Sequence, residues 1–192
     1  MKEIFHNSLT SINSYIWEHI VNGTVKKNIS FNSPALATLG KKYLKVRTMI
    51  IRKVDKEKKT LIFYTDKRSQ KAIEIKNNSS LTLHFYDFKK KVQFVCYGKG
   101  SLENNSIKTK KIWKSMPEYS KINYMYLFKP GTKLKSQEKI PLLDDKKAFL
   151  NFSLIHVKVQ QIDWLYLSRE GNKRAIFNYN KKNLLEAKWV AP

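Results

Sequence analysis

The chain of 192 residues has one cysteine, six glycines and five prolines, and only 15 acidic residues against 38 lysines and arginines. A lone Cys96 excludes an intrachain disulfide and fits a reducing compartment. With six glycines, and Gly98-Lys99-Gly100 the only close pair, neither a P-loop nor a G-x-G-x-x-G fingerprint can be built. Any phosphate grip must therefore come from side chains. The four histidines, at 6, 19, 84 and 156, lack metal-ligand spacing, and no H-E-x-x-H or C-x-x-C occurs, which argues against a metal centre. His84 and His156 read instead as surface or barrel-lining residues. G-x-S-x-G is missing, and Cys96 sits mid-strand without a neighbouring base, so it reads as a core thiol. No apolar run approaches the ~20 residues of a membrane span. Residues 1–10 turn polar too early for a signal-peptide core. A cytoplasmic location is the expectation, and the Asn-x-Ser/Thr triplets at Asn28 and Asn151 are those a chain rich in Asn and Ser produces by chance.

What is abundant is positive charge, +23 in all. Such an excess suggests a polyanionic partner. Its make-up weakens that reading, because 33 cations are lysine and five are arginine, beside 15 asparagines. Lys, Asn and Ile share A/T-rich codons. The arginines, at 47, 52, 68, 169 and 174, are the informative cations, since Arg offers a planar bidentate fork that Lys lacks.

Periodicity predicts a helix over 8–21, with Leu9, Ile12, Ile16 and Ile20 on one face and Asn22-Gly23 ending it. Strands follow at 35–39, 44–54 and 60–65, the last two joined by the charged turn 55–59. A short helix is expected over 68–76, strands over 81–88 and 92–102, and helical structure over 106–128, broken by Lys129-Pro130-Gly131-Thr132. Residues 133–147 read as a loop, and 149–167, 174–179 and 188–190 as strands. Strands dominate without βαβ alternation, so the expectation is a mainly β (α+β) chain. Its core is a split barrel of six or more antiparallel strands with flanking helices, in one domain spanning 1–192. Within it, 1–30 is a helical lead-in and 105–147 a helical and loop insertion.

Three segments carry chemistry. Arg47-Thr48-Met49-Ile50-Ile51-Arg52 places two arginines on one predicted strand, where a bulge or strong twist would be needed to bring both to one ligand. In Tyr64-Thr65-Asp66-Lys67-Arg68-Ser69-Gln70-Lys71 a strand end runs into a helix, so hydroxyls, free N–H groups and cations make an anion seat. Gln93, on the strand beginning at Val92, offers a paired amide to a planar ring. A basic barrel surface with charged turns is the bland reading of each segment alone.

Taken together and in order, these segments resemble the FMN-binding split-barrel family related to pyridoxine/pyridoxamine 5′-phosphate oxidase. The resemblance covers roughly 30–192 and is most specific over 47–102. The tail Ile162-Asp163-Trp164-Leu165, Arg174, Trp189 and Ala191-Pro192 is also similar. It implies that Arg47, Lys71, Thr65 and Ser69 hold the FMN phosphate, and that Tyr64 and Thr48, Met49, Ile50 and Ile51 line the flavin. Arg52 takes the place of a lysine near the ring, Gln93 that of a ring-binding glutamine, and Arg174 that of an arginine at the pyrimidine end. A homodimer with FMN at its interface is implied, binding a small-molecule substrate. The resemblance places Gln70 where the oxidase has a phosphate-binding arginine, with nearby Arg68 as the candidate to compensate. Ile112, Met116, Glu170 and Asn172 occupy the oxidase's substrate-binding positions, which points to an oxidase-like branch and away from the vitamin-B6 reaction. A genuine pyridoxamine-phosphate oxidase, and a basic nucleic-acid-binding barrel stacking bases on Phe85, Tyr86 and Phe94, are the competing readings. Whether a deazaflavin or haem takes the FMN seat, and which residues are catalytic, stays open.

Overall fold

The computed structural model describes residues 4–25, 30–136, 139–180 and 185–192; Asn28 lies outside them. Among the described residues nine strands make one antiparallel sheet, and five α-helices flank it. The strands are β1 (Ala35–Leu39), β2 (Leu44–Thr48), β3 (Ile51–Asp55), β4 (Thr60–Asp66), β5 (Ser80–Asp87), β6 (Val92–Glu103), β7 (Phe152–Tyr166), β8 (Lys173–Tyr179) and β9 (Leu185–Val190). The helices are α1 (Leu9–Val25), α2 (Gln70–Asn77), α3 (Ile107–Ser115), α4 (Glu118–Met125) and α5 (Asp145–Asn151).

The main path runs β2-β1-β5-β6-β7-β4-β3. Its two edge strands, β2 and β3, are joined by Met49-Ile50 alone. In a flat sheet six strand spacings would separate them by ~29 Å, whereas three Cα steps reach ~11 Å. The sheet must therefore curl until its edges nearly meet. No ladder pairs β2 with β3, so the expected barrel is an open, curled sheet not closed by hydrogen bonds. β7 is the fork: its first half pairs β4, its second half pairs β8, and β6 runs along both.

Alternation sorts side chains to the two faces. Inward, Phe85, Phe94, Trp164 and Phe177 are fully or almost fully buried, and α1 plugs the interior with Ile12, Ile16, Trp17 and Ile20. Phe85 and Phe94 stack on each other at 4.4 Å inside this core, which removes them as a base-stacking platform. A second cluster covers the far side of β4 and β7: Ile62, Phe152 and Leu154 pack under Trp113, Met116 and Tyr124 of the α3–α4 region and Ala148 of α5.

Several boundaries differ from expectation. α1 continues through Asn22-Gly23 to Val25; Gly23 is there for close packing, since a Cβ would stand 3.1 Å from the Asn32 backbone nitrogen. The run 44–54 is two strands on opposite edges. Residues 106–128 form two helices, broken at Met116-Pro117 where proline has no N–H to continue the first. α5 claims Phe149 and the last three residues of the expected loop, capped by the Asp144 side chain accepting from the Lys147 N–H. Asn151 is buried and donates to the Tyr124 carbonyl at 2.9 Å, which makes it a structural amide. Cys96 is buried and desolvation pushes its thiol far up. Among the described residues no helix is long and apolar enough to cross a membrane.

The bulge at Tyr97-Gly98 depends on glycine, because a Cβ on Gly98 would sit 2.3 Å from the Lys158 carbonyl oxygen. Gly98→Ala is expected to cost about 1–3 kcal/mol, read as a lower urea midpoint with unchanged slope.

Candidate cofactor site

The anion seat forms where β4 ends and α2 begins. Thr65 and Ser69 are both buried, and their hydroxyls lie 3.2 Å apart. Ser69 stands at the N-cap of α2 but makes no side-chain cap bond, so N–H groups of the first turn are left without a helical partner. Lys71 is in that turn. Its ammonium is held below the ordinary lysine value chiefly by desolvation and next by the charge of Arg47, with Asp66 and Glu74 pulling the other way.

Arg47 reaches the seat from β2. Its guanidinium donates to the Thr38 hydroxyl and, at 3.1 Å, to Glu74 Oε2 one turn along α2 from Lys71. Glu74 is 3% exposed, and Lys45 approaches its other oxygen at 3.5 Å. Burial pushes the Glu74 carboxyl up, but the Thr38 hydrogen bond and the Arg47 charge together hold it below the usual range. Thr38 and Glu74 were not singled out in the sequence; the long-range pairing that aims Arg47 under α2 carries no local signal.

Arg52 is elsewhere. A bulge between Ile51 and Lys53 turns it out of β3's ladder, and its guanidinium stands 5.4 Å over the Tyr64 ring. This bulge is the kind of irregularity that two arginines five residues apart require, but the strand break at Met49-Ile50 matters more, because it sends Arg47 and Arg52 to different edges. Between them Thr48 and Ile50 are exposed while Met49 and Ile51 enter the core. Tyr64 is half-buried against Phe152, and burial raises its phenol against the opposing charge of Arg52. Arg52 and Tyr64 open onto a cleft of about 350 Å³ that includes Ile112 and Met116.

Arg68 does not face the seat. Its fork grips Asp66, with Nη2 to Oδ2 at 2.7 Å, and also donates to the carbonyls of Tyr126 and Leu127. It fastens the end of α4 and has little left to compensate for exposed Gln70. Gln93 and Arg174 form a third group. Strand pairing sets Tyr86, Gln93, Leu165, Arg174 and Val190 in one row across β5–β9, on the outward face. Arg174 makes a two-point pair with Asp163, at 2.9 and 2.7 Å, which offsets part of its charge. Leu165 supplies an apolar floor between amide and guanidinium, a role visible only once the register is known.

The set at α2 suits a small, doubly charged oxyanion: hydroxyls, uncapped N–H groups and two neighbouring cations, one of them desolvated. Residues 14–103 match the family model of the pyridoxamine 5′-phosphate oxidase FMN-binding domain. The resemblance read from the sequence is borne out by this match, which takes in just under half of the chain. Solved structures extend the likeness to the whole fold. A pyridoxamine 5′-phosphate oxidase-related, FMN-binding protein from Nostoc punctiforme PCC 73102 is 20% identical, with a TM-score of 0.74 over 96% of this chain and 100% of that one. PhzG from Burkholderia lata 383, in complex with tetrahydrophenazine-1-carboxylic acid, is 13% identical with a TM-score of 0.65 over 100% of this chain and 95% of that one. A protein of the pyridoxinephosphate oxidase family from Clostridium acetobutylicum, related to general stress protein 26, is 12% identical with a TM-score of 0.54, covering 84% of this chain and 94% of that one. No curated protein matches the chain.

Within this fold Glu74 is the buried counter-charge of the candidate seat. Glu74→Gln is expected to destabilise the protein by about 1–3 kcal/mol, less than the ~3–5 of a fully buried pair because Arg47 keeps access to water. The folded pKa lies below 4.5, so the carboxylate's contribution is present above pH 4.5 and lost as pH falls through the folded value. Acid titrations of stability should therefore be flatter below pH 4.5 in Glu74→Gln than in the parent.

Proposed function

We propose that the chain is a cytoplasmic, homodimeric FMN-binding oxidoreductase acting on a small molecule. The observation that carries this is the meeting of the Thr65 and Ser69 hydroxyls with Lys71 at the uncapped start of α2, within the field of Arg47. Those four would hold the flavin phosphate, each charge-assisted bond contributing ~1.5–3 kcal/mol. Tyr64, Arg52 and Thr48, Met49, Ile50 and Ile51 are assigned to the ring's surroundings, and Gln93 and Arg174 to its polar edge. Bound FMN supplies hydride transfer, while the protein supplies position and electrostatics.

The placement of these groups supports the dimer. Arg47 pairs with inward-facing Leu36, while Gln93 and Arg174 face outward several strands away. With the two groups on opposite faces of the sheet, the outward row is assigned to a flavin seated on a second copy. The same outward face exposes Leu39, Leu44, Val46, Tyr86 and Tyr97, an apolar patch of the kind that marks an interface. Pyridoxamine 5′-phosphate itself fits less well. Ile112 and Met116 leave Arg52 as the one cation of its cleft, and turnover of that compound is not expected.

Added FMN should raise the melting temperature and lose fluorescence on binding, and Lys71→Ala should weaken binding by roughly 10–150-fold. Failure of FMN to bind the parent protein sinks the reading. The shared site has its own check. Mixing Lys71→Ala with Arg174→Ala chains should restore tight binding to a fraction of sites, since each mixed dimer contains one intact pairing; no recovery on mixing contradicts it.

A further inference from the structure

The outward face of α3 carries positive charge that the surrounding acids do not offset. A period of 3.6 residues sets Lys110, Lys114, Ile107, Lys111, Ser115 and Lys108 side by side around one half of the helix, and all are exposed. The opposite half is fixed. Thr109 and Trp113 are buried, the Ser106–Thr109 capping box closes the first turn, and the Trp113 indole donates to Asp145 at 3.1 Å. Two local rules are broken here. Lys108–Lys111, Lys111–Lys114 and Lys110–Lys114 are like-charge pairs at three- and four-residue spacing, which weaken a helix. The first turn also holds a lysine and no acid, where the helix dipole favours the reverse. Glu103 approaches Lys108 at 3.8 Å, but it also holds His156 at 2.6 Å. The other acids of this layer are taken, Glu118 and Asp145 by Lys121 and Asp144 by Lys147. Among the described residues Lys110, Lys111 and Lys114 make no ion pair.

Such a ridge is relieved by an anionic surface. A second copy of this chain does not supply one, since each carries +23 and like charges repel. Ile107 decides between the remaining polyanions. It is 89% exposed in the middle of the lysines, so whatever meets the ridge also meets an aliphatic side chain. A nucleic-acid duplex would set Ile107 against phosphates, and the ridge has no arginine, asparagine or glutamine to read base edges. A bilayer takes both kinds of group, lysines among headgroup phosphates and the isoleucine at the acyl boundary. We propose that this face of α3 docks the protein reversibly on an anionic lipid bilayer, with Lys110, Lys111 and Lys114 on the headgroups and Ile107 inserted between them. The nine residues of α3 span only ~14 Å, so the contact is peripheral. It does not rest on the flavin reading.

The test is co-sedimentation of the full chain with phosphatidylcholine vesicles, with and without about one-third phosphatidylglycerol, at ~0.15 M salt. Binding is expected to the anionic vesicles alone. Lys110→Gln combined with Lys111→Gln should weaken it about 25-fold, roughly fivefold per lysine. The melting temperature of that variant should be no lower than the parent's, because like-charge pairs are removed. Lys89→Gln with Lys90→Gln removes the same charge from the turn before β6, ~36 Å along that strand from the end that leads into α3. This control should cost less than about threefold, since its lysines stand beyond the reach of the bilayer field. Ile107→Ala, at an exposed site, should weaken vesicle binding by at least about threefold through lost apolar insertion. No binding to anionic vesicles, equal losses in the ridge and turn variants, or indifference to Ile107→Ala would overturn the proposal. So would binding of a DNA duplex at the same salt that the ridge substitutions weaken as strongly.

Discussion

A two-residue link decides the shape of this molecule. Met49-Ile50 joins the two edge strands of a seven-strand path, and so short a tether forces the sheet to curl. Curling encloses an interior that α1 fills with Trp17 and three isoleucines. It also swings β2 across the end of that interior, where Arg47 meets Glu74 of α2. The proposed phosphate seat depends on this placement, since Lys71 and the start of α2 would otherwise lack a second cation nearby. On the far side of the link, Arg52 emerges from a bulge onto Tyr64. Two arginines of one short segment thus serve two different places.

Charge is distributed with similar economy. Lysines crowd the turns 56–59 and 89–91 and stand mostly in water. Three arginines are tied to a buried or half-buried acid, and those acids determine where each fork points. Glu74 holds Arg47 at the seat without filling it, because Lys71 remains desolvated and short of negative charge. Asp163 holds Arg174 flat on the outward face. Asp66 draws Arg68 away from the seat altogether. The net charge of the chain is therefore a poor guide to its partner, and the local pairing of each arginine is a better one.

Most of what could be read in the sequence is short-range. Alternating apolar residues mark β4–β8, the charged turns 55–59 and 89–91 mark two hairpins, and Leu9, Ile12, Ile16 and Ile20 mark α1. The seat was also legible, since Thr65, Ser69 and Lys71 lie within seven residues at a strand-to-helix junction. What was not legible depends on contacts far apart in the chain. Nothing local says that 44–54 must split between two edges, that Arg68 will find the carbonyls of Tyr126 and Leu127, or that Gly23 continues a helix because another segment packs on it. The row joining Gln93, Leu165 and Arg174 exists only through the register of three strands. Its position on the face opposite the seat is what the proposed second chain rests on.

The central claim is that a flavin phosphate occupies the start of α2. Comparing FMN with riboflavin, which has the same ring and no phosphate, tests it most directly. Fluorescence titration of both with the purified protein should give FMN an advantage of at least a hundredfold, in line with two or more charge-assisted bonds of ~1.5–3 kcal/mol each. Equal affinity for the two, or binding of neither, would contradict the account.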